Sequence, residues 1–220
     1  MKAAARLPAK LRWHRENAAE RAFDRRRAID TGGVVFLDTW GTRTSYQAVH
    51  PAAFREFLSH LPADLRAVTF VDYGSGKGRA LFLAVEHGIR AAVGVEIEPL
   101  HHRAATANLA RYRARTGRGE GIRLVEGDAR EVPLPAGPVV VFLYNPFPRA
   151  VMVDVLAGIR DSLRVDPRPA WLIYEAPMDR DLFDDDPALE LLGERTERAG
   201  ASPRRPRFAI YRARSCTVSR

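Results

Sequence analysis

The stretch FVDYGSGKGRAL, residues 70–81, places three glycines and a lysine directly after an apolar run. The apolar run predicts a buried strand, and the residues after Gly78 predict the start of a helix. Glycine allows the backbone to approach a ligand closely. A strand that enters a helix through such a loop commonly binds a nucleotide-like ligand at the helix N-terminus. The stretch therefore predicts a ligand-binding turn.

The spacing of the glycines argues against two kinds of phosphate-binding loop. A P-loop needs a glycine five residues before the Gly-Lys pair and a Ser or Thr after it, but Val71 and Gly78 stand at those positions. A dinucleotide fingerprint that starts at Gly74 needs a small residue where Arg79 stands. A fingerprint that starts at Gly76 meets Leu81 instead.

Apolar and amphipathic segments alternate on the carboxyl side of this loop. The pattern predicts strands in AVTFVDY (67–73), AAVGVEI (91–97), IRLVEGD (122–128), PVVVFLYNPF (138–147) and AWLIYEAP (170–177), and helices over 79–87, 99–115 and 149–163. Strands that are apolar on both faces and separated by helices indicate a parallel sheet covered on both sides. The last two segments, LELLGERTERA (189–199) and RFAIYRARS (207–215), have no helix between them and predict an antiparallel pair.

We therefore predict an α/β fold with a doubly wound, mostly parallel seven-stranded sheet, over residues 51–220. For residues 1–50 we predict an N-terminal helical arm, with one helix over 10–28 and a short strand or extended segment in VVFLDTW (34–40). A further helix is predicted over 51–61, because proline suits a first helical turn and apolar residues recur there at helical spacing.

Composition limits the partners and the location. The chain has a formal net charge of +8 and a pI near 10.2, but its arginines are scattered, so nucleic acid is a possible partner that the pattern does not favour. No apolar run approaches the roughly 20 residues needed to cross a bilayer. Because Cys216 is the single cysteine, we expect no disulfide within the chain, and we predict a cytoplasmic setting. The oligomeric state stays open.

Asp72 and the three glycines form a DxGxGxG pattern that resembles the class I S-adenosylmethionine-dependent methyltransferases. The resemblance implies S-adenosylmethionine as cofactor, with the loop against its methionine portion and the strand-end acid on its amino group. It extends to the strand-end acids Glu96 and Asp128, which would bind the ribose hydroxyls and the adenine amino group. The cofactor-binding residues implied in this way are Asp72, Tyr73, Gly74, Ser75, Gly76, Lys77, Gly78, Glu96, Ile97, Asp128 and Ala129.

The segment FLYNPFPR, residues 142–149, follows the fourth predicted strand of the sheet. Its Asn145, Pro146 and Phe147 resemble the [DNS]PP[YF] motif of amino-methyltransferases, with one proline missing, and resemble more loosely the seven-strand histone-lysine methyltransferases. The resemblance implies that Asn145 and the Pro146 carbonyl accept hydrogen bonds from an amine while Phe147 packs on it; Asn145 would also face the cofactor. The alternative is that Asn145 and Pro146 only shape a turn.

Other candidate residues have two interpretations each. Lys77 either pairs with the cofactor carboxylate or is solvated, and Tyr46 is either part of a lid over the cofactor or a core residue of the arm. His50, His101 and His102 are possible bases without a spacing that places them near Asn145. No metal-ligand cluster is evident, which disfavours a metal-dependent methyltransferase.

The motifs together resemble a bacterial group of small, mostly uncharacterised class I methyltransferases. This resemblance implies a methyltransferase acting on a nitrogen of an amine-bearing substrate, either a small molecule or a protein. Three alternatives remain: an O-methyltransferase on the same fold, an NAD(P)-dependent reductase, and a non-catalytic nucleic-acid-binding module.

Overall fold

A computed structural model describes residues 9–33, 35–39, 42–61, 64–197 and 205–214. The helices are α1 Ala9–Arg27, α2 Pro51–Leu58, α3 Arg79–Glu86, α4 Pro99–Thr116, α5 Arg149–Val165 and α6 Asp181–Asp184. The strands are β1 Val35–Thr39, β2 Thr42–Tyr46, β3 Thr69–Tyr73, β4 Ala91–Glu96, β5 Ile122–Glu126, β6 Val139–Tyr144, β7 Ala170–Glu175, β8 Leu189–Glu197 and β9 Arg205–Ala213.

Seven of the strands form one sheet, in the order β5-β4-β3-β6-β7-β9-β8. Strands β3 to β7 pair in parallel, and β9 pairs antiparallel with both β7 and β8. The predicted fold class and the predicted antiparallel pair are confirmed. Because the strand order reverses between β3 and β6, a crevice opens at their carboxyl ends, where sheets of this kind bind ligands.

Two hydrophobic clusters cover the two faces of this sheet. The arm-side cluster includes Phe23 of α1, Phe54 of α2, Phe82 of α3 and Tyr112 of α4. The second, which we call the α5-side cluster, includes the buried residues of α5 and Phe183 of α6. Side chains alternate between the faces along each strand, which explains why the sequence shows strands that are apolar throughout.

The arm contains more strand than the sequence predicts. Helix α1 and strand β1 are confirmed, except that Val34 and Trp40 of the predicted segment lie outside the described residues. Strand β2 was not predicted; it pairs antiparallel with β1, and Val35 lies opposite Tyr46. Its sequence, TRTSY, is largely polar and carries no apolar run, so the pairing depends on its neighbour rather than on its own hydrophobic pattern.

Helix α2 ends at Leu58, before the predicted end at Leu61. Pro62 follows, and a proline disfavours the helical conformation in the residue before it. The last turn is tighter than an α-helical turn, since the Ser59 amide donates a hydrogen bond to the carbonyl of Glu56, three residues earlier. Helix α6 is one turn long and was not predicted from the sequence.

Among the described residues, no helix combines the length and the apolar character needed to span a bilayer. No group of three or more His, Cys, Asp or Glu residues in the same part of the chain is arranged to hold a metal ion. Cys216 lies outside the described residues, so the expected redox setting stays a prediction.

Candidate cofactor and acceptor site

Four polar side chains end neighbouring parallel strands at the carboxyl edge of the sheet. Each lies an even number of residues after a member of the arm-side cluster, so all four occupy the arm-side face. They are Asp72 after Phe70 on β3, Glu96 after Ala92 on β4, Tyr144 after Phe142 on β6 and Glu175 after Ile173 on β7. The fold therefore gathers three carboxyl groups and a phenol at the carboxyl edge of the sheet, around the point where the strand order reverses. We call this point the switch point.

The glycine loop passes close to two other segments. Gly74 and Gly76 have φ angles of 86° and 52°, which favour glycine. A Cβ on Gly74 would lie 2.5 Å from Cβ of Pro146, and a Cβ on Gly76 would lie 2.2 Å from Cε2 of Tyr46. Both distances are too short for a side chain, so the loop packs directly against the predicted acceptor segment at Gly74 and against the arm at Gly76.

Asp72 and Glu96 are buried on adjacent strands, with exposures of 3% and 7%. Burial raises the pKa of Asp72 well above its usual value, and the charge of Glu96 raises it further. Burial also raises the pKa of Glu96, although hydrogen bonds from backbone amides oppose the shift. Two buried carboxyl groups are costly to ionise together, so a ligand that brings positive charge would be stabilised here.

Backbone amides fix the Glu96 carboxylate. The Gly76 amide donates to Oε2 at 2.7 Å, and the Glu98 amide donates to Oε1 at 2.8 Å. An ionised carboxylate has about four acceptor sites, so both oxygens can still accept protons from ligand hydroxyls. Glu96 therefore links the glycine loop to the position predicted for the ribose.

The remaining residues predicted to bind the cofactor differ in their burial and in their hydrogen bonds. Asp128 is bonded to Arg130, whose Nη2 lies 2.7 Å from Oδ2, and this hydrogen bond lowers the pKa of Asp128. Tyr73 and Ala129 are buried in the α5-side cluster, where the Tyr73 hydroxyl donates to the Val132 carbonyl. Contacts from Tyr73 to a ligand in the crevice would therefore come from its backbone. Ser75 and Gly78 are buried in the loop, and Ile97 is half-buried just after β4.

Lys77 and Tyr46 both contact the arm. Lys77 Nζ donates to the Gly32 carbonyl at 2.8 Å, so the ammonium group is already bonded. The Tyr46 hydroxyl donates to the Thr31 carbonyl at 2.7 Å while its ring covers Gly76. The arm therefore lies against the glycine loop, which is where a lid was predicted; that it opens and closes stays a prediction.

Arg79 anchors the arm to the loop. Its guanidinium is almost fully buried and donates to the Thr31 hydroxyl at 2.6 Å and to carboxylates of Glu20 at 2.8 Å and Asp24 at 3.4 Å. Asn108 of α4 adds a second anchor through two hydrogen bonds with the backbone of Asp30. In the sequence, Arg79 stands out only as the residue that breaks a dinucleotide fingerprint, and this role was not predicted.

Asn145 follows β6 in a left-handed conformation, with φ of 40°. Its Oδ1 accepts a hydrogen bond of 2.9 Å from the hydroxyl of Tyr174, a residue that the sequence analysis did not single out. Pro146 packs against Gly74, whereas Phe147 is buried in the α5-side cluster with 7% exposure. Asn145 and Pro146 thus lie beside the glycine loop, and Phe147 offers little surface for packing on an acceptor.

The histidines named as possible bases have other contacts. His50 precedes α2, and its Nδ1 accepts from the Ala52 amide at 3.1 Å. His101 is buried against Tyr46, with ring centroids 4.8 Å apart, and burial and the charge of Lys77 lower its pKa. His102 is half-exposed on α4. Their assignment as bases stays untested.

Glu175 is a site residue that the sequence analysis missed. Its exposure is 4%, and its Oε2 has no hydrogen-bond partner in the part of the chain that the structure describes. Burial raises its pKa to about 8. Asp72 and Glu96 were singled out because each is an acid at the end of an apolar strand. The segment AWLIYE (170–175) shows the same pattern, so Glu175 could have been predicted from the sequence.

Comparison with known proteins identifies the fold. No family model and no curated protein matches the sequence. Solved structures do match: the "putative methylase" of Haemophilus influenzae, at 16% identity and a TM-score of 0.55, covers 74% of this chain and 98% of its own. The "putative RNA methyltransferase" of Pyrococcus horikoshii, at 16% identity and a TM-score of 0.52, covers 76% and 84%. The chain has the class I methyltransferase fold.

A third structure, an S-adenosylmethionine-dependent methyltransferase of Leishmania major, has 14% identity, a TM-score of 0.52 and coverage of 74% and 71%. At these identities the likeness concerns the fold. The strand order reverses at β3 and β6, so the crevice at the carboxyl edge of the sheet opens beside Asp72, Glu96 and Asn145.

Proposed function

We propose that this protein is an S-adenosylmethionine-dependent methyltransferase. One observation carries the proposal: the buried carboxyl groups of Asp72 and Glu96 flank a left-handed glycine loop at the switch point of a class I methyltransferase fold. The same site disfavours a dinucleotide, because the buried Arg79 occupies the position where that fingerprint needs a small residue.

The residues present fit the cofactor chemically. Asp72 would bind the α-ammonium group, and this contact would offset the cost of two neighbouring buried carboxylates. Glu96 would accept from the ribose hydroxyls, and Asp128 would accept from the adenine amino group. When bound, S-adenosylmethionine supplies a methyl group activated by the positive sulfur.

The acceptor atom that we propose is nitrogen. Asn145 Oδ1 accepts one hydrogen bond from Tyr174, and a carbonyl oxygen has a second lone pair that can accept from a substrate N–H. The Pro146 carbonyl would supply a further acceptor. Methyl transfer depends mainly on holding the acceptor in line with the reacting bond, so the role of these groups is orientation.

Calorimetric titration with S-adenosylhomocysteine tests the cofactor assignment. We expect saturable binding by the wild type and at least tenfold weaker binding by Asp72→Asn and Glu96→Gln, since a hydrogen bond to a charged group is worth about 1.5–3 kcal/mol. Asp161→Asn, which changes an exposed acid on α5, is the matched control and should bind like the wild type. Absence of binding by folded wild-type protein would overturn the proposal.

RNA is a second candidate acceptor. Two observations favour it: one of the similar structures is named as an RNA methyltransferase, and this chain has a net charge of +8. Affinity for transfer RNA that falls steeply as salt rises would show phosphate contacts. Methyl incorporation into RNA, measured with labelled cofactor, would then separate a substrate from a nonspecific ligand.

A further inference from the structure

Glu175 lies at the carboxyl edge of the sheet, on the strand next to the one that leads into the proposed acceptor segment. It ends β7, its register partner is Tyr144 at the end of β6, and Asn145 follows Tyr144 directly. Tyr144 and Glu175 occupy the same face of the sheet as Asp72, which lies near the end of β3, the strand next to β6. The carboxyl group of Glu175 is therefore one strand beyond the acceptor segment, on the side that the arm covers.

The charges around Glu175 come from three elements. After burial, the largest influence on the pKa of Glu175 is Arg207 of β9, which lowers it, followed by Glu20 of α1, which raises it. On β6, burial and then the charge of Glu175 raise the pKa of Tyr144, which keeps the phenol neutral. The balance leaves Glu175 costly to ionise without a further cation nearby.

A carboxyl group with a purely structural role would normally have both oxygens hydrogen-bonded when it is buried. Oε2 of Glu175 lacks such a partner within the described residues. Buried polar atoms of this kind call for an explanation, and a ligand with a donor group is one. A metal ion is a weaker explanation, because the described residues contain no cluster of three candidate ligands.

We propose that Glu175 and Tyr144 form the pocket for a primary ammonium group, and that Glu175 Oε2 takes the proton which this group must lose before it is methylated. The inference rests on the proposed function and adds to it the class of acceptor and the proton acceptor. Asn145 remains the residue that orients the nitrogen, and Glu175 becomes the general base.

The proposed step accounts for every proton and electron pair. One N–H bond of the ammonium breaks, its proton bonds to Glu175 Oε2, and the electron pair stays on nitrogen. That pair forms the new C–N bond while the C–S bond breaks and its electrons remain on sulfur. The products are a methylated ammonium, a neutral thioether and a protonated Glu175, which returns its proton to solvent.

An ammonium group could come from a free aliphatic amine or from a lysine side chain of a protein. Calorimetry on protein loaded with S-adenosylhomocysteine separates these sources, with n-butylamine, spermidine and Nα-acetyl-lysine amide as probes. We expect at least one probe to bind the wild type and to bind Glu175→Gln at least tenfold more weakly. Preference for Nα-acetyl-lysine amide indicates a protein substrate, and preference for the other probes indicates a small amine.

Proton release gives a readout that does not depend on turnover. At pH 7 the wild type should release close to one proton when an amine binds, because the cation displaces the proton of Glu175; Glu175→Gln should release none. Repeating the titration in buffers of different ionisation enthalpy measures this number. Glu190→Gln, which changes an exposed acid on β8, is the control and should behave like the wild type.

Rates provide the last test. Wild-type kcat/KM should level off above about pH 8, whereas Glu175→Gln should fall at least 100-fold and keep rising toward the amine pKa of about 10.4. Glu175→Asp should recover part of the activity. Equal amine binding by the wild type and Glu175→Gln, or no binding of any probe, overturns the inference, while binding of S-adenosylhomocysteine by both proteins leaves the proposed function standing.

Discussion

Nη1 of Arg79 lies 2.8 Å from Oε2 of Glu20, and this contact joins the first residue of α3 to helix α1. Arg79 directly follows Gly78, the last glycine of the loop, so the residue that starts the helix after the cofactor loop also holds the arm. The guanidinium is buried, whereas Glu20 keeps some solvent exposure. The position of the arm and the shape of the loop are therefore coupled through this side chain, in addition to the contacts of Lys77, Tyr46 and Asn108.

Arg79→Ala should release the arm. Loss of the guanidinium leaves Glu20 and Asp24 without their cation, and breaking a buried pair in this way costs about 3–5 kcal/mol. Urea denaturation measures the loss, and hydrogen exchange of residues 18–31 should rise. Arg212→Ala, which breaks an exposed pair with Glu190, is the control and should cost less than about 1 kcal/mol. Similar costs for both variants would contradict the anchor role.

Alanine substitutions at two glycines can distinguish the cost of backbone strain from the cost of a steric clash. Gly76 and Gly88 both have positive φ angles, but a Cβ on Gly88 would meet nothing within 4 Å. Gly88→Ala should cost about 1–2 kcal/mol from strain alone, and Gly76→Ala should cost more because its Cβ meets the Tyr46 ring. In a double-mutant cycle, the extra cost should shrink when Tyr46 is alanine. An undiminished cost would show that Tyr46 is not the obstacle.

Tyr174→Phe should affect turnover more than cofactor binding. The hydroxyl of Tyr174 is the hydrogen-bond donor that holds Asn145 Oδ1, and loss of such a bond is worth about 0.5–1.5 kcal/mol. We expect kcat/KM to fall up to about tenfold, with unchanged affinity for S-adenosylhomocysteine. Tyr211→Phe removes a hydroxyl bonded to Asp184 and is the matched control. An equal loss in both variants would point to stability rather than to orientation of Asn145.

The free energy of unfolding should fall as pH rises from about 5 to 8. Burial raises the pKa of Glu175 to about 8, so in this range the folded protein keeps a proton that the unfolded chain has lost. Stability then decreases by up to about 1.4 kcal/mol per pH unit, and the raised pKa of Asp72 acts in the same direction. Glu175→Gln should flatten the dependence, as measured by urea denaturation at several pH values. Parallel curves for Glu175→Gln and the wild type would exclude the raised pKa.

Much of the sheet was predictable because its signals are local. Apolar strands, helical spacing and glycines recur in the order that a doubly wound sheet requires, and each prediction from 67 onward placed its element within a few residues. Strand β2 and helix α6 were missed for the opposite reason. One is a polar strand that depends on its partner, and the other is a single turn without a periodic pattern.

The site was only partly predictable. Asp72, Glu96 and Asn145 could be located because each lies at or just after the end of an apolar strand and matches a motif. Tyr174 and Glu175 end an apolar strand as well. The acid at this strand end was a usable signal, but no motif marks it, and the roles of both residues depend on contacts across strands. The burial of Phe147 was also beyond the sequence, since a residue after a strand can turn toward either face.

By itself, the sequence determined the order of strands and helices from residue 67 to residue 175, the glycine loop and the acids at the strand ends, because backbone preference and hydrophobic spacing act between near neighbours. Only the tertiary structure decided that Arg79 and Lys77 bind the arm, and that Glu175 is buried with an oxygen that has no hydrogen-bond partner among the described residues. Burial, pairing and pKa depend on groups brought together from distant parts of the chain, and residues 20, 79, 144 and 175 share one environment only in the folded protein.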